Sequence, residues 1–204
     1  MNYGEVKTHF EALLNRSDNT SALTTTFIDQ GIRRVGRMLR SAMNEKVQVI
    51  TLTQQTASIT LPSDFLEIIS LYYKDRELVR LPNSQFRPYA DNPIQGRPDH
   101  FTRQQEAIFI HPQPSDGDLT LYYYGDFEDL ADDTDTNNLT DTAPDLLIYA
   151  ALTYAADYYL DERATLFEQK FQAFLTEIQE QANDQELNGS TQIIAPAYRF
   201  EDDI

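Results

Sequence analysis

The sequence predicts an α+β fold: a helical bundle body that carries an inserted small antiparallel β-sheet or partial sandwich, and an extended C-terminal tail. Apolar residues recur at spacings of three and four near both ends of the chain, which is typical of helices. In the middle they alternate with polar residues, as strands require. Two segments marked by proline, residues 61–67 and 143–152, each lead into an apolar element and divide these patterns.

These patterns divide the chain into a body, an insert, a loop and a tail. Residues 1–46 and 143–183 are predicted to form one domain, built from two N-terminal helices and long C-terminal helices. Residues 47–125 are predicted to be an inserted antiparallel β domain, and residues 126–142 an exposed acidic loop. Residues 184–204 are predicted to be an extended docking tail.

The N-terminal helices have clear periodicity. The first carries apolar residues from Tyr3 to Leu13 and ends in a polar run, and the second is expected to begin after the threonines at 24–26. Gly36 costs roughly 1 kcal/mol relative to Ala inside a helix, so it predicts close packing or a bend. The apolar stripe of the second helix is Ile28, Ile32, Val35, Leu39 and Met43, and its basic stripe is Arg33, Arg37 and Arg40.

The middle of the chain has the period of two that predicts strands. About six short antiparallel strands are expected between residues 47 and 125, separated by turns rich in Pro, Asn, Asp and Gly. Residues 83–100 contain three prolines and one glycine, so they are predicted to form a long irregular connection that projects from the sheet.

The last part of the chain returns to a helical period. Pro144 falls at the first helical position and Asp145 suits the positive end of the helix dipole, so a helix is expected to begin there. It continues as one long helix or as two consecutive ones. The tail then becomes polar except for one apolar island, residues 193–200.

Composition argues against several functional classes. No run of about 18 apolar residues occurs, so no membrane span is predicted and the chain is expected to be soluble and made in the cytoplasm. There is no cysteine, and the 3 histidines lack the spacing that would place two on one metal ion. Neither a Gly-rich phosphate loop nor a nucleophile elbow is present. We therefore expect no enzyme activity, no cofactor and no metal.

The charge of the chain is unevenly distributed. The formal net charge is −17, of which residues 1–49 contribute +2 and residues 126–204 contribute −16. A surface this acidic repels nucleic acid, so a sequence-reading DNA binder is disfavoured. The arginines at 33, 34, 37 and 40 have two open interpretations: they pair with the acidic C-terminal helices of the same chain, or with a neighbouring copy or partner.

The apolar island in the tail is the strongest single candidate for function. Large side chains beside a proline, flanked by Gly, Ser and acidic residues, are typical of an extended segment that orders on a partner. The alternative is a tail folded back on its own domain. The candidate docking residues are Ile193, Ile194, Pro196, Tyr198 and Phe200.

Several short segments, taken in order, carry a resemblance to a known family. They are Tyr3 with Phe10 and Leu13-Leu14-Asn15-Arg16-Ser17-Asp18, Ile32-Arg33-Arg34-x-x-Arg37-x-Leu39-Arg40, Leu61-Pro62-x-Asp64-Phe65-Leu66-Glu67, Gly96-x-Pro98, Ile108-x-Ile110-x-Pro112-x-Pro114, Leu121-x-Tyr123-Tyr124, Thr136-Asn137-x-Leu139, and the ten residues from Ala143 to Leu152. Over roughly residues 3–180, the chain resembles the head-to-tail adaptor (connector) proteins of tailed bacteriophages, in particular the podovirus-like adaptors. One departure is Asn138, which stands where such adaptors often carry tryptophan.

The resemblance implies a structural protein of the virion neck. Such adaptors form a ring of about twelve copies beneath the portal protein, and double-stranded DNA passes through the lumen without specific binding. The far side receives tail or nozzle proteins, and a C-terminal extension commonly reaches the portal, which suits the island at 193–200. In this setting Arg33, Arg37 and Arg40 are expected to contact the neighbouring copy. The alternative function is an acidic inhibitor that mimics DNA.

Overall fold

The structure, a computed structural model, describes residues 1–53, 56–114 and 116–189. Within these residues it contains six α-helices and two four-stranded β-sheets, which confirms the predicted α+β fold. Five of the helices come from the two ends of the described chain, and the strands and the remaining helix lie between them.

Helices α1 (Tyr3–Leu14) and α2 (Ser21–Met38) open the chain. Asn2 caps α1 in a capping box with Glu5, which satisfies two of the free amides at the helix start. Helix α2 begins at Ser21, capped by Thr20, so the prediction that it starts after residues 24–26 was wrong. The threonines looked like a break because β-branched residues are poor helix formers. Thr24 is instead buried, where its hydroxyl accepts from Asn19 and donates to Glu11.

The end of α2 leads directly into the sheet. The helix stops at Met38, earlier than the stripe to Met43 predicted, and a short 3-10 turn, Ala42–Asn44, follows. Gly36 is explained by close packing, since a Cβ atom there would lie 2.5 Å from Oδ1 of Asp126. The loop after the sheet therefore packs directly on the helix backbone.

The strands form two sheets whose inner faces share one apolar cluster. The first sheet has the order β1-β8-β3-β4 and the second the order β2-β7-β6-β5. The bounds are β1 Glu45–Leu52, β2 Ser58–Thr60, β3 Phe65–Tyr73, β4 Arg76–Glu77, β5 Val79–Arg80, β6 His100–Gln104, β7 Ala107–His111 and β8 Gly117–Gly125. Buried residues of both sheets form the cluster: Leu52, Leu71, Tyr73, Leu119, Leu121 and Tyr123 with Ile59, Phe101, Ile108 and Ile110.

Two details of the β region differ from prediction. All pairs are antiparallel except β5 with β6, which is parallel. Residues 83–100 are not an irregular projection, because α3 (Asn83–Asp91) occupies half of them and β6 begins at His100. Helix α3 tolerates Pro88 since it is short, and the buried side chain of Phe86 anchors it.

Three helices close the described chain: α4 (Asn138–Thr142), α5 (Pro144–Tyr159) and α6 (Ala164–Gly189). Pro144 is at the start of α5, as predicted. Leu160, with φ of 52°, ends α5 and separates it from α6. Helix α5 lies at the centre of the body, where it packs against α1, α2, α4 and α6.

Residues 126–142 are not simply an exposed acidic loop. Phe127, Leu130 and Leu139 are buried in the helical core, and α4 lies within the segment. Backbone carbonyls of Asp133 and Asp135 accept from the first amides of α1. The segment is therefore a packed part of the body, and most of its carboxylates are exposed, while those of Asp126 and Asp135 are half-buried. Isolated apolar residues among acids give no periodicity, so sequence patterns did not reveal them.

The buried apolar residues fall into two clusters, the shared cluster of the two sheets and a helical one. The helical cluster draws on α1, α2, α5 and α6 and on the segment before α4. Its largest fully buried side chains include Tyr3, Phe10, Ile28 and Phe171. In the part of the chain that the structure describes, no helix is long and apolar enough to cross a membrane.

Candidate functional site

Arg33 and Arg37, two of the predicted contact residues, lie on the solvent face of α2. Both are exposed, and they stand four residues apart on the side opposite the buried stripe. Among the described residues neither forms an ion pair. Arg33 interacts electrostatically with Asp29, one turn earlier, and Arg37 donates a long 3.5 Å hydrogen bond to the Tyr154 hydroxyl. Their charges are therefore available for a partner.

Arg34 behaves differently because it points toward α6 of its own chain. Its guanidinium donates to Oε1 of Glu168 and to the Thr153 hydroxyl, both at 2.7 Å. It also lies 4.1 Å from the ring centroid of Phe171. The hydrogen bond from Arg34 is the main reason that the pKa of Glu168 is lowered. For Arg34, pairing with the acidic C-terminal helices of the same chain is thus the observed arrangement.

Arg40 links the helical body to the first sheet. Its Nε donates to Glu67 of β3 at 3.0 Å, and another guanidinium nitrogen donates to the carbonyls of Gly36 and Leu39. Because Leu39 ends α2, this cation also satisfies carbonyls at the negative end of the helix dipole. Arg40 therefore has a structural role at the junction within its own chain.

A second cation, Lys46, holds the same junction. Its ammonium donates to Asp64 at 2.7 Å and to the Asp126 carbonyl at 2.9 Å. The Tyr123 hydroxyl donates to the other oxygen of Asp64. Burial, with Asp64 close by, raises the pKa of Tyr123 to about 12. Sequence patterns did not reveal this cluster, since the two partners of Lys46 lie 18 and 80 residues from it in the chain.

A small polar cavity lies beside the junction. Its volume is about 180 Å³, and it is lined by residues of the 3-10 turn and of the segment before α4. Lys46, Asp126, Glu128 and Asp141 contribute charged side chains to its wall. In the described part of the chain no group of three or more His, Cys, Asp or Glu side chains is placed to hold a metal ion.

The outer face of the first sheet is apolar and exposed. Val47 and Val49 of β1 are 58% and 61% exposed, and Tyr122 of β8 lies opposite Val47 in the register. Tyr72 packs edge-on against Tyr122 with centroids 5.8 Å apart. Val47, Tyr72 and Tyr122, with Ile69, border an open groove of about 500 Å³. Tyrosines therefore alternate between the core, as in Tyr123, and this outer face.

A cluster of aromatic rings fastens α3 to the second sheet, and sequence patterns did not reveal it. Tyr89 stacks on His100 and tilts against His111, with centroids 5.7 Å and 4.9 Å apart. Phe86 packs edge-on against His111. Burial lowers the pKa of His111, while nearby Asp99 acts in the opposite direction.

The predicted tail residues cannot be placed on the molecule. Ile193, Ile194, Pro196, Tyr198 and Phe200 all lie outside the described residues. Helix α6 brings the chain past the end of α2, where Gln179 donates to the Met38 carbonyl at 3.1 Å. The chain therefore leaves the body on the side where α2 passes into the sheet.

These surfaces, a charged helical body and a sandwich with an exposed apolar face, are those of an assembly protein. The comparison with family models identifies the class as a bacteriophage adaptor. The chain belongs to the SU10 adaptor protein family, whose model matches residues 1–194. The resemblance to head-to-tail adaptors seen in the sequence is thereby confirmed. A search of curated proteins gave no match.

Membership in this family establishes a coarse function. The protein has a structural role as a phage adaptor, and the family is not an enzyme family. Adaptors of this kind associate with portal and tail proteins in the virion neck.

Proposed function

We propose that this chain forms a ring of about twelve copies beneath the portal of a tailed phage. The ring extends the channel through which double-stranded DNA passes and gives tail or nozzle proteins a surface to attach to. The observation that carries the proposal is the family match over residues 1–194, which includes both the helical body and the sandwich.

In this proposal the helical body forms the ring and the sandwich projects from it. Two separate apolar clusters, one helical and one between the sheets, support this division into a body of residues 1–46 and 143–183 and an insert of residues 47–125. The two parts are joined by polar contacts of Arg40 and Lys46. Phe127, Leu130 and Leu139 extend the body into the segment at 126–142.

The C-terminal segment is proposed to bind the portal. Its composition supports this role: residues 193–200 contain four large apolar or aromatic side chains and one proline within eight positions, next to polar residues. An apolar segment of this kind contributes binding energy when a groove buries it.

Substitution within the full chain tests the tail. We expect Ile193→Asp with Tyr198→Asp to weaken binding to the portal protein of the same phage at least tenfold, because two apolar anchors worth roughly 1.5–3 kcal/mol each are lost. Thr191→Asp with Gln192→Asp adds the same charge next to the island and is the matched control. Affinity is measured by biolayer interferometry with immobilised portal. Equal affinity of all three proteins would refute the tail proposal.

The DNA-mimic alternative predicts a different result in the same assay. Such an inhibitor would leave the portal unbound and would block a DNA-binding enzyme instead. The −16 charge of residues 126–204 is compatible with mimicry, but much of it lies on helices that use their apolar faces to build a core. Family membership favours the adaptor.

A further inference from the structure

The solvent face of α2 is basic, and its two arginines form no ion pair among the described residues; Arg33 has only the electrostatic contact with Asp29, one turn earlier. Four exposed residues follow one another along this face: Thr26, Gln30, Arg33 and Arg37. None of them is apolar, and none of the ion pairs among the described residues involves the two arginines. We call this surface the basic face.

The solvent face of α6 is acidic and also unpartnered. The exposed residues along it are Leu166, Gln169, Ala173, Glu177, Glu180 and Asp184. Glu177, Glu180 and Asp184 take part in no hydrogen bond or ion pair among the described residues. We call this surface the acidic face.

The last part of the acidic face, Glu180 and Asp184, extends beyond the end of α2. Gln179 already reaches the last residue of that helix, Met38, and α6 continues to Gly189. At about 1.5 Å per residue, the remaining turns advance roughly 15 Å past that point. Between Glu180 and Asp184 only Ala182 is even partly buried. A largely polar helix end of this kind needs a partner to stabilise it.

The two faces cannot satisfy each other inside one chain. Helices α2 and α6 both pack on α5, and the seam between them is filled by the Arg34–Glu168 pair stacked on Phe171. Arg33 lies on the outside of α2, and Arg37, although exposed, reaches the Tyr154 hydroxyl of α5 beside Arg34 at 3.5 Å. The acidic face likewise lies on the outside of α6, opposite its buried residues Phe167, Phe171 and Leu175.

We propose that the basic face of one copy binds the acidic face of the next copy. Complementary charges on two different surfaces of the same chain define a head-to-tail contact, and such contacts close into rings. Planar guanidinium groups suit carboxylates, and Leu166 and Ala173 provide a small apolar centre between the charges. The contact rests on the proposed ring, and it specifies the surfaces from which the ring is built.

Charge exchange between two variants tests this contact. The first variant, Arg33→Glu with Arg37→Glu, makes both faces acidic, and the second, Glu177→Arg with Glu180→Arg, makes both faces predominantly basic. For either variant alone, the association constant for self-association is expected to fall at least tenfold. An equimolar mixture is expected to recover it, because each face then meets its opposite in an alternating ring. Arg80→Glu with Arg87→Glu, exposed arginines of the β region, is the control and is expected to assemble like wild type.

Assembly is measured by analytical ultracentrifugation of the protein alone and by native mass spectrometry of the complex with portal. Circular dichroism verifies that each variant is folded. Recovery in the mixture, together with assembly that weakens as salt is raised, supports the contact. Unimpaired assembly of the first variant, or a folded mixture that does not recover, overturns it.

The two proposals fail in different ways. If wild type and both variants bind the portal in equal copy number, the adaptor function stands and the contact is wrong. If wild type neither binds the portal nor self-associates at high concentration, both proposals are wrong.

Discussion

The solvent faces of α2 and α6 on the helical body differ from the outer face of the first sheet on the β-sandwich. On the body, the solvent faces of α2 and α6 are charged, and apolar residues are mostly buried in a core around α5. On the sandwich, the outer face of the first sheet exposes Val47, Val49 and Tyr122. Attraction between charged surfaces selects partners and is weakened by salt, whereas the binding free energy of apolar surfaces depends on the area that they bury. The difference indicates that the body is the part suited to a selective, repeated contact between copies.

The same two regions are also separate in their packing. Each has its own apolar cluster, and the contacts of Arg40 and Lys46 between them are hydrogen bonds and ion pairs. Polar contacts at a surface contribute less than a shared core does. We therefore expect the body and the sandwich to respond separately to damage, and the following predictions test that separation.

The largest expected effect comes from a cavity in the body. Phe171→Ala removes a fully buried ring and is expected to lower the free energy of unfolding by about 3–5 kcal/mol. Hydrogen exchange measured by mass spectrometry should show lost protection in α2, α5 and α6, with β3 and β8 little changed. Leu121→Ala, at a fully buried site in the sandwich, should give the reverse pattern. If either variant lost protection equally in the body and the sandwich, the two regions would form one cooperative unit.

The second largest effect is expected from a change at the seam between α2 and α6. Arg34→Ala removes a pair whose arginine side chain is 18% exposed and whose Glu168 side chain is 42% exposed. Because the carboxylate is well solvated, we expect a loss of only about 1–2 kcal/mol. Arg33→Ala, one residue away on the exposed face, should change stability by less than about 0.5 kcal/mol. Urea unfolding followed by circular dichroism measures the stability of both variants. An equal loss of stability in Arg34→Ala and Arg33→Ala would contradict a stabilising pair between Arg34 and Glu168.

Between pH 5.5 and 7.5, a pH effect is expected in the sandwich, at His111. Burial holds the pKa of His111 below its ordinary value of 6.5, so the unfolded chain binds a proton more readily than the folded one. The stabilisation that neutral His111 gives the folded protein is complete above pH 6.5. It is lost as the pH falls from 6.5 toward the pKa of His111 in the folded protein. Urea unfolding of wild type at pH 7.5, 6.5 and 5.5 should show decreasing stability.

The variant His111→Gln should show a shallower decrease in stability over this range, because it cannot take up the proton. His9→Gln, at an exposed position on α1, is the matched control and should retain the wild-type slope. If the stability of His111→Gln fell with pH as steeply as that of the wild type, His111 would not be the source of the pH effect.

The smallest expected effect is on the outer face of the first sheet. Val49→Thr keeps the β-branched shape at a position that is 61% exposed, so the free energy of unfolding should change by less than about 0.5 kcal/mol. Thermal unfolding of the isolated protein measures this. A larger loss would mean that Val49 is covered, and would weaken the contrast between the two regions.

Elements with strong periodicity were predictable from the sequence, and elements defined by distant contacts were not. The apolar stripe from Ile28 to Leu39 and the proline at 144 predicted α2 and α5, because regular spacing on one face has a single structural explanation. Helix α3 was missed because Pro88 indicated a break, although the buried side chain of Phe86 holds the helix on the sheet.

The candidate contact surface was predictable only in part. The basic stripe was evident from spacing, but which arginines are satisfied within the chain depends on folding. Arg34 meets Glu168, 134 residues away, and Arg40 meets Glu67 across the junction. Of the four arginines at 33, 34, 37 and 40, only Arg33 and Arg37 form no ion pair among the described residues, and no local pattern separates them from their neighbours.

Electron cryomicroscopy of wild-type protein bound to the portal of the same phage tests the central claim most directly. The prediction is a closed ring beneath the portal, with helical bodies side by side, Arg33 and Arg37 of one copy against Glu177 and Glu180 of the next, and sandwiches projecting from the ring. Single copies bound apart from one another, or a ring joined through the sandwiches with the basic face exposed to solvent, would contradict it.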